Sequence, residues 1–265
     1  MSRKIFRLVL NIAAIAFSRR SPRRALSAAF KLCGFRVERR WPFARRVARA
    51  DLNLGYDDIL VYQFARSRKF NALVVGAFDG VANDPASDFI RRHDLNAVFI
   101  EPQADPFRRL QINMKFCRNV RLVNAAVDEI TGWRDFYSIK PGNKELPAWT
   151  EQLASFDRSH LSKHEDRAPG LNKHIVTSSV KTITFSEIID KFNLERLDLL
   201  QVDAEGMDFK LLSLFPFERC RPAIVYYENA HMSHFQRHSI RSRLQQYGYS
   251  FYEEDGSMDD MAVIF

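Results

Sequence analysis

Beyond residue 50 the chain alternates short, continuous apolar runs with longer segments of mixed polarity. Residues 71–77 (NALVVGA), 97–101 (AVFIE), 120–127 (VRLVNAAV), 197–203 (LDLLQVD) and 223–228 (AIVYYE) read as strands, with 249–253 and 261–265 as two closing strands. Residues 88–93, 106–116, 186–192 and 238–247 carry helical spacing and capping residues. Unbroken apolar runs imply strands covered on both faces, because a strand with one wet face alternates. Strand–helix alternation then predicts an α/β fold: a mostly parallel, seven-stranded sheet with helices on both faces and ligands at the carboxyl ends of its strands. Residues 140–175 break this rhythm, with Pro141, Gly142, Pro147, Pro169 and Gly170 among many polar residues. They are predicted to form an insertion or lid near the active face.

Composition fits this picture: of 265 residues, 46% are apolar and 27% charged, enough for one large domain with an appendage. The formal charge of +8 becomes informative once it is located. Residues 1–50 hold 14 Lys or Arg and a single acid, Glu38, a net of +13; residues 51–265 hold 26 basic and 31 acidic residues, a net of −5. A nucleic-acid-binding domain carries its basic patch on the fold itself, so nucleic acid is not an expected partner. The chain therefore divides into a basic, partly amphipathic segment over 1–50 and a mildly acidic domain over 51–265. Cys33, Cys117 and Cys220 are widely separated and form no C-x-x-C pair, which predicts reduced thiols in a cytoplasmic protein.

Residues 5–17 are apolar except for Arg7 and Asn11, and this run is shorter than the roughly 20 residues of a membrane-spanning helix. Arg19, Arg20, Arg23 and Arg24 follow where a secretory signal would need small residues, and a twin-arginine signal would place its pair before the apolar run. The open readings are a helix lying on an anionic membrane at the inner face, a transit peptide, and a helix that is solvated or packed on the domain. On a membrane each basic residue near the surface contributes about 1 kcal/mol.

The candidate chemistry begins where the first strand runs into Gly76-Ala77-Phe78-Asp79-Gly80, small residues that let the backbone turn and approach a ligand. Asn83-Asp84-Pro85 reads as a helix cap with Pro at the first helical position. The Gly76-x-x-x-Gly80 spacing is not the G-x-G-x-x-G fingerprint, which argues against a nucleotide-dependent oxidoreductase. Glu101 closes the second strand and Pro102 stops it; an acid at this place accepts hydrogen bonds from both hydroxyls of a ribose.

The runs VVGAFDGVANDP, FIEPQADPFRRLQIN, LVNAAVDEITG and LDLLQVDAEGMDFKLL occur in this order, with ASFDRSHLSKH at 154–164 and VYYENAHM at 225–232. Together they resemble an FkbM-type methyltransferase over about residues 60–265. The resemblance implies a Rossmann-like class I methyltransferase fold and S-adenosylmethionine as cofactor. It also implies that Gly76, Ala77, Phe78, Asp79 and Gly80 border the methionine part, that Glu101 and Pro102 lie at the ribose, and that Asn124 and Ala125 line the adenine side. Asp203-Ala204-Glu205-Gly206 matches the family's D-x-E-G motif and faces the methionine end and the acceptor. The sequence departs at Val74, where the family commonly has Asp, and at Phe78, where it commonly has Asn; Asp79 is the expected substitute.

The expected reaction is methyl transfer to a hydroxyl of a sugar, glycan or related metabolite, with the acceptor class taken from the resemblance. For such an acceptor a base helps as the bond forms. Asp203, Glu205, His231 and Glu228 are the candidates, in that order. Asp203 can equally meet the cofactor's amine, and Glu205 can equally be a helix-start carboxylate. His231, His234 and His238, at helical spacing, and Asp203, Glu205 and Asp208 are two conceivable metal sets, but no metal is expected. A non-catalytic membrane adaptor is the rival reading, and the D-x-E-G segment argues against it. Deleting residues 1–24 is expected to abolish co-sedimentation with anionic liposomes while leaving S-adenosylhomocysteine affinity unchanged; unaltered liposome binding would remove the membrane reading.

Overall fold

The computed structural model of the protein describes residues 56–67, 69–82, 84–252 and 258–264. The basic segment over residues 1–50, and every reading of it, lies outside the described residues. Helix α1 (Tyr56–Arg66) belongs to a first compact unit. Its acids Asp57 and Asp58 occupy the first turn and Arg66 the last, the arrangement that complements the helix dipole.

The second unit, residues 71–264, carries the α/β fold. In chain order it contains β1 (Asn71–Val75), α2 (Pro85–His93), β2 (Asn96–Ile100), α3 (Ala104–Asn113), β3 (Val120–Val123), β4 (Ala126–Val127), β5 (Gly132–Ile139), β6 (Ala154–Ser155) and α4 (Arg158–Ser162). It continues with β7 (Ile175–Ile183), α5 (Phe185–Phe192), β8 (Leu199–Val202), α6 (Asp208–Leu214), β9 (Ile224–Glu228), α7 (His234–Gln246), β10 (Ser250–Tyr252) and β11 (Asp259–Val263). The main sheet has seven strands in the order β10-β11-β9-β8-β1-β2-β3. Its strands run parallel except β11, which is antiparallel to both its neighbours.

Both faces of the central strands of this sheet are buried, as the continuous apolar runs require. Leu73, Val75, Val98, Ile100, Leu200 and Val202 join one core with Ile188 and Ile189 of α5, Leu211 and Leu212 of α6 and Ile240 and Leu244 of α7. The alternate residues Ala72, Val74, Ala97, Phe99 and Leu199, on the opposite face, are buried as well. Helix starts follow local chemistry: Asp84 caps α2 by accepting from the Ser87 amide, and Thr184–Glu187 and Ser233–Gln236 form capping boxes for α5 and α7.

Two sequence expectations are corrected. The run 120–127 is not one strand: after Val123 the chain leaves the main sheet, and Ala126–Val127 pair with Thr182–Ile183 of β7. The reason is local, because the Asn124 side chain donates to the carbonyls of Glu101 (2.8 Å) and Pro102 (3.1 Å) and turns the backbone there. A second sheet, β4-β7-β5-β6, was not expected at all. Its long β5–β7 pair runs from Gly132 opposite Thr182 to Ile139 opposite Ile175, and much of both strands is exposed, so no apolar run marks them. Residues 140–174 connect the far ends of this pair and fold around a small core of Leu146, Leu153, Leu161, Ala168 and Leu171 with Ile139.

Cys117 and Cys220 are free thiols. Among the described residues no helix is long and apolar enough to cross a membrane.

Chain order reverses between β1 and β8, from which the connections depart toward opposite edges, and such a switch point opens a crevice at the carboxyl ends of the strands. The two ends meet closely there. Gly76 has φ +80°, its amide donates to the Ile100 carbonyl at 3.0 Å, and a Cβ added to it would lie 1.6 Å from the Asp203 carbonyl oxygen. Gly76→Ala is therefore expected to cost about 4 kcal/mol or more in urea unfolding. Gly142→Ala, also at positive φ but facing open space, is expected to cost about 1–2 kcal/mol. Equal losses at the two positions would refute the close-approach account.

Candidate active site

The wall of the crevice on the β2 side is organised by Glu101. One carboxylate oxygen accepts from the Phe78 amide and the other from the Gln103 amide, each at 2.8 Å, so the loops after β1 and β2 are tied through a single side chain. Phe78 takes up a left-handed conformation, φ +47°, and its ring lies against the Arg109 guanidinium at 5.0 Å. Glu101 is only 3% exposed. Burial pushes its carboxyl up to about 7, against the opposing effect of the two amides and Arg109. Each oxygen keeps a second lone pair, so the group can accept further hydrogen bonds from a ligand in the crevice.

The β8 side is acidic. Asp203 follows the strand, and Glu205 and Gly206 are both left-handed, with φ +49° and +89°. The buried Asp208 carboxylate holds this turn by accepting from the amides of Ala204 (3.1 Å) and Gly206 (3.2 Å). Burial pushes Asp208 up to about 7. Asp203 reaches the crevice surface, yet enclosure by the surrounding walls pushes it up to about 9, reinforced by the charges of Asp208, Glu228, Glu205 and Asp259. Burial and then Glu205 push Glu228 up to about 7. His231 Nε2 lies 3.7 Å from a carboxylate oxygen of Glu205 and 3.7 Å from one of Glu228, and its partner Glu205 holds it above the usual histidine range. His160 moves the other way, pushed down to about 4 by burial and the neighbouring His231.

Between these walls lies a cleft of about 850 Å³, open to solvent. Of the sequence candidates, Gly76, Ala77, Phe78, Glu101, Pro102, Ala125, Asp203 and Glu205 line it. Others are used differently. The Asp79 carboxylate accepts from the amides of Val81 (3.0 Å) and Ala82 (2.9 Å), so it closes its own turn rather than substituting in the cleft. Gly80 lets that turn pack against Leu110 and Met114, and Asn124 serves the backbone as described. Glu228 and His231 lie behind Glu205. The expected face of His231, His234 and His238 does not exist, because His231 precedes the Ser233 cap of α7. It meets His160 instead, with ring centroids 4.8 Å apart.

Sequence reasoning missed three parts of this site. Asp84 lines the cleft as well as capping α2, and it accepts from Gln201 Nε2 at 3.0 Å. Phe136, on β5, lines the cleft and meets the ring of Phe156 edge-on at 5.1 Å. His160 arrives from α4, in a polar stretch without periodicity. The Ser233-x-x-Gln236 box was the one signal that could have separated His231 from the helix.

The Methyltransferase FkbM domain matches residues 75–251, which include every cleft-lining residue named above. The chain belongs to the FkbM methyltransferase family. It is similar to the crystal structure of methyltransferase FkbM from Methylobacillus flagellatus KT, at 10% identity and TM-score 0.43, over 74% of this chain and 44% of that one. The chain thus spans less than half the length of that protein. It is also similar to a methyltransferase from Geobacter sulfurreducens, at 13% identity and TM-score 0.37 over 89% and 94% of the two chains. A third likeness, at 11% identity and TM-score 0.36, is to precorrin-6y C5,15-methyltransferase from Geobacter metallireducens GS-15, over 81% and 92%. No curated protein matches.

In this FkbM domain the cleft joins a buried hydrogen-bond acceptor, Glu101, to a ring of acids around Asp203 that attracts positive charge. The ionisation of Glu101 also bears on stability. Its folded-state value, about 7, lies above the ordinary 4.5, so the native state holds this proton more tightly than the unfolded chain. The corresponding stabilisation is complete below pH 4.5 and is lost as pH rises through about 7. Glu101→Gln is expected to remove this component, about 3 kcal/mol across that window, in urea unfolding at a series of pH values. Parallel wild-type and variant profiles would overturn the assignment.

Proposed function

We propose that the protein is an S-adenosylmethionine-dependent O-methyltransferase acting on a hydroxyl of a sugar, glycan or related metabolite. The observation that carries the cofactor reading is Glu101: a buried carboxylate at the end of β2, anchored by two backbone amides and still able to accept from a vicinal diol. The rest of the cleft supports it. Phe136, Phe156 and Ala125 offer apolar surface to a purine, and Asp203 offers negative charge to the methionine end.

When bound, S-adenosylmethionine supplies a methyl group on a sulfonium that is already electrophilic. The work left to this chain is alignment and proton removal. Glu101 and the Gly76 turn fix one end of the cleft. Burial and the surrounding acids push the Asp203 carboxyl up, and a cation beside it favours its carboxylate, so its best use is to meet positive charge. Glu205 lines the cleft beside His231, so with no metal bound its carboxylate is the acceptor for a proton leaving a hydroxyl. The resemblance to FkbM-type enzymes supports the hydroxyl-bearing, sugar-like acceptor.

Calorimetry with S-adenosylhomocysteine tests the reading. Folded wild-type protein is expected to bind, and Glu101→Ala to lose at least about tenfold in affinity, or 1.4 kcal/mol, for charge-assisted hydrogen bonds to a diol. Absence of binding by folded wild-type protein would end it.

A further inference from the structure

We infer that His160, Glu205 and His231 form a binding site for one divalent transition-metal ion of the zinc class, beside the cleft. The three side chains come from separate parts of the chain: α4 in the 140–174 connection, the turn after β8 and the turn after β9. One ligand atom from each lies within 4.8 Å of the other two.

Their convergence is built into the backbone. Gly206, at φ +89°, leaves room for the His160 imidazole, since a Cβ there would lie 2.4 Å from its Cε1. Glu205 adopts a left-handed conformation costly for a side-chain-bearing residue, held in place by Asp208. Such an outlier at a point of convergence calls for a functional reason.

His160 brings an unsatisfied polar atom to the group. His160 Nε2 is buried with no hydrogen-bond partner, and so is one carboxylate oxygen of Glu228, 3.7 Å from His231 Nε2. A buried polar atom without a partner is costly, and an ion is one of the explanations such atoms call for. His164 packs edge-on to both other imidazoles, at 5.8 and 6.0 Å between centroids, and restricts their orientation.

The donor set selects the metal. Two imidazoles and one carboxylate suit zinc and its neighbours, whereas magnesium prefers oxygen ligands and water. Tetrahedral zinc places its ligand atoms about 3.3 Å apart, a closure of less than about 1 Å for each side chain. Three protein ligands leave a coordination position for water or an acceptor oxygen, whose acidity the ion would raise. With the ion in place, Glu205 and His231 act as ligands rather than as a base.

The test uses the full chain, stripped with chelator and dialysed, and titrated calorimetrically with zinc chloride. One saturable site of micromolar or tighter affinity is expected, with no saturable heat from magnesium. His160→Gln and His231→Gln are each expected to weaken zinc binding at least about tenfold, while the His234→Gln/His238→Gln double variant retains it. Cobalt(II) added to wild-type protein is expected to give the intense visible absorption of a low-coordinate site, a readout that does not depend on how the variants fold. No saturable zinc site or no such cobalt spectrum in wild-type protein would overturn the inference. So would undiminished zinc affinity in both single variants, or its loss in the double variant.

Discussion

The architecture turns on the contact between Gly76 and the Asp203 carbonyl, where the ends of β1 and β8 come closer than any side chain permits. A glycine at positive φ is the sole solution at that point, and it has consequences on both sides. Toward β2 it sends the backbone into the turn whose Phe78 amide reaches Glu101. Toward β8 it brings the acids after the strand against the same cleft. The cleft is thus a product of strand crossover: two loops that leave the sheet in opposite directions are pinned together at their origin.

The second organising fact is an imbalance of charge. Asp203, Glu205, Asp208, Glu228 and Asp259 share one end of the sheet, and burial, reinforced by neighbouring acids, pushes Asp203, Asp208 and Glu228 toward the protonated form. Asp208 offsets its burial with backbone amides, and His231 offsets part of the charge on Glu205 and Glu228. The neighbouring charges that act most strongly on Asp203 are all acidic. An acidic concavity of this kind is complementary to a positively charged ligand before any particular ligand is considered.

How much of this was legible in the sequence depended on what each residue does. Strands buried on both faces are unbroken apolar words, and the runs around Leu73, Phe99 and Leu200 were read correctly for that reason. Strands β5 and β7 are mostly solvated, so their sequences, GWRDFYSI and IVTSSVKTI, carry no such mark. Glu101 and Asp203 were visible because each ends a strand. Asp84 was seen only as a cap, since its second use depends on Gln201, 117 residues away. His160 was invisible as a site residue because its partners, Glu205 and His231, are brought to it by tertiary structure and not by spacing.

The β5–β7 pair has one further consequence. Ile139 and Ile175 lie directly opposite one another, so the connection between them begins and ends at the same place and closes on itself around its own apolar cluster. The entropy of closing such a loop grows only as the logarithm of its length, so lengthening or rebuilding it adds little to the cost of folding the sheet. In energetic terms the doubly wound body and this connection are therefore separable: the first depends on its crossover geometry, whereas the length of the second is nearly free.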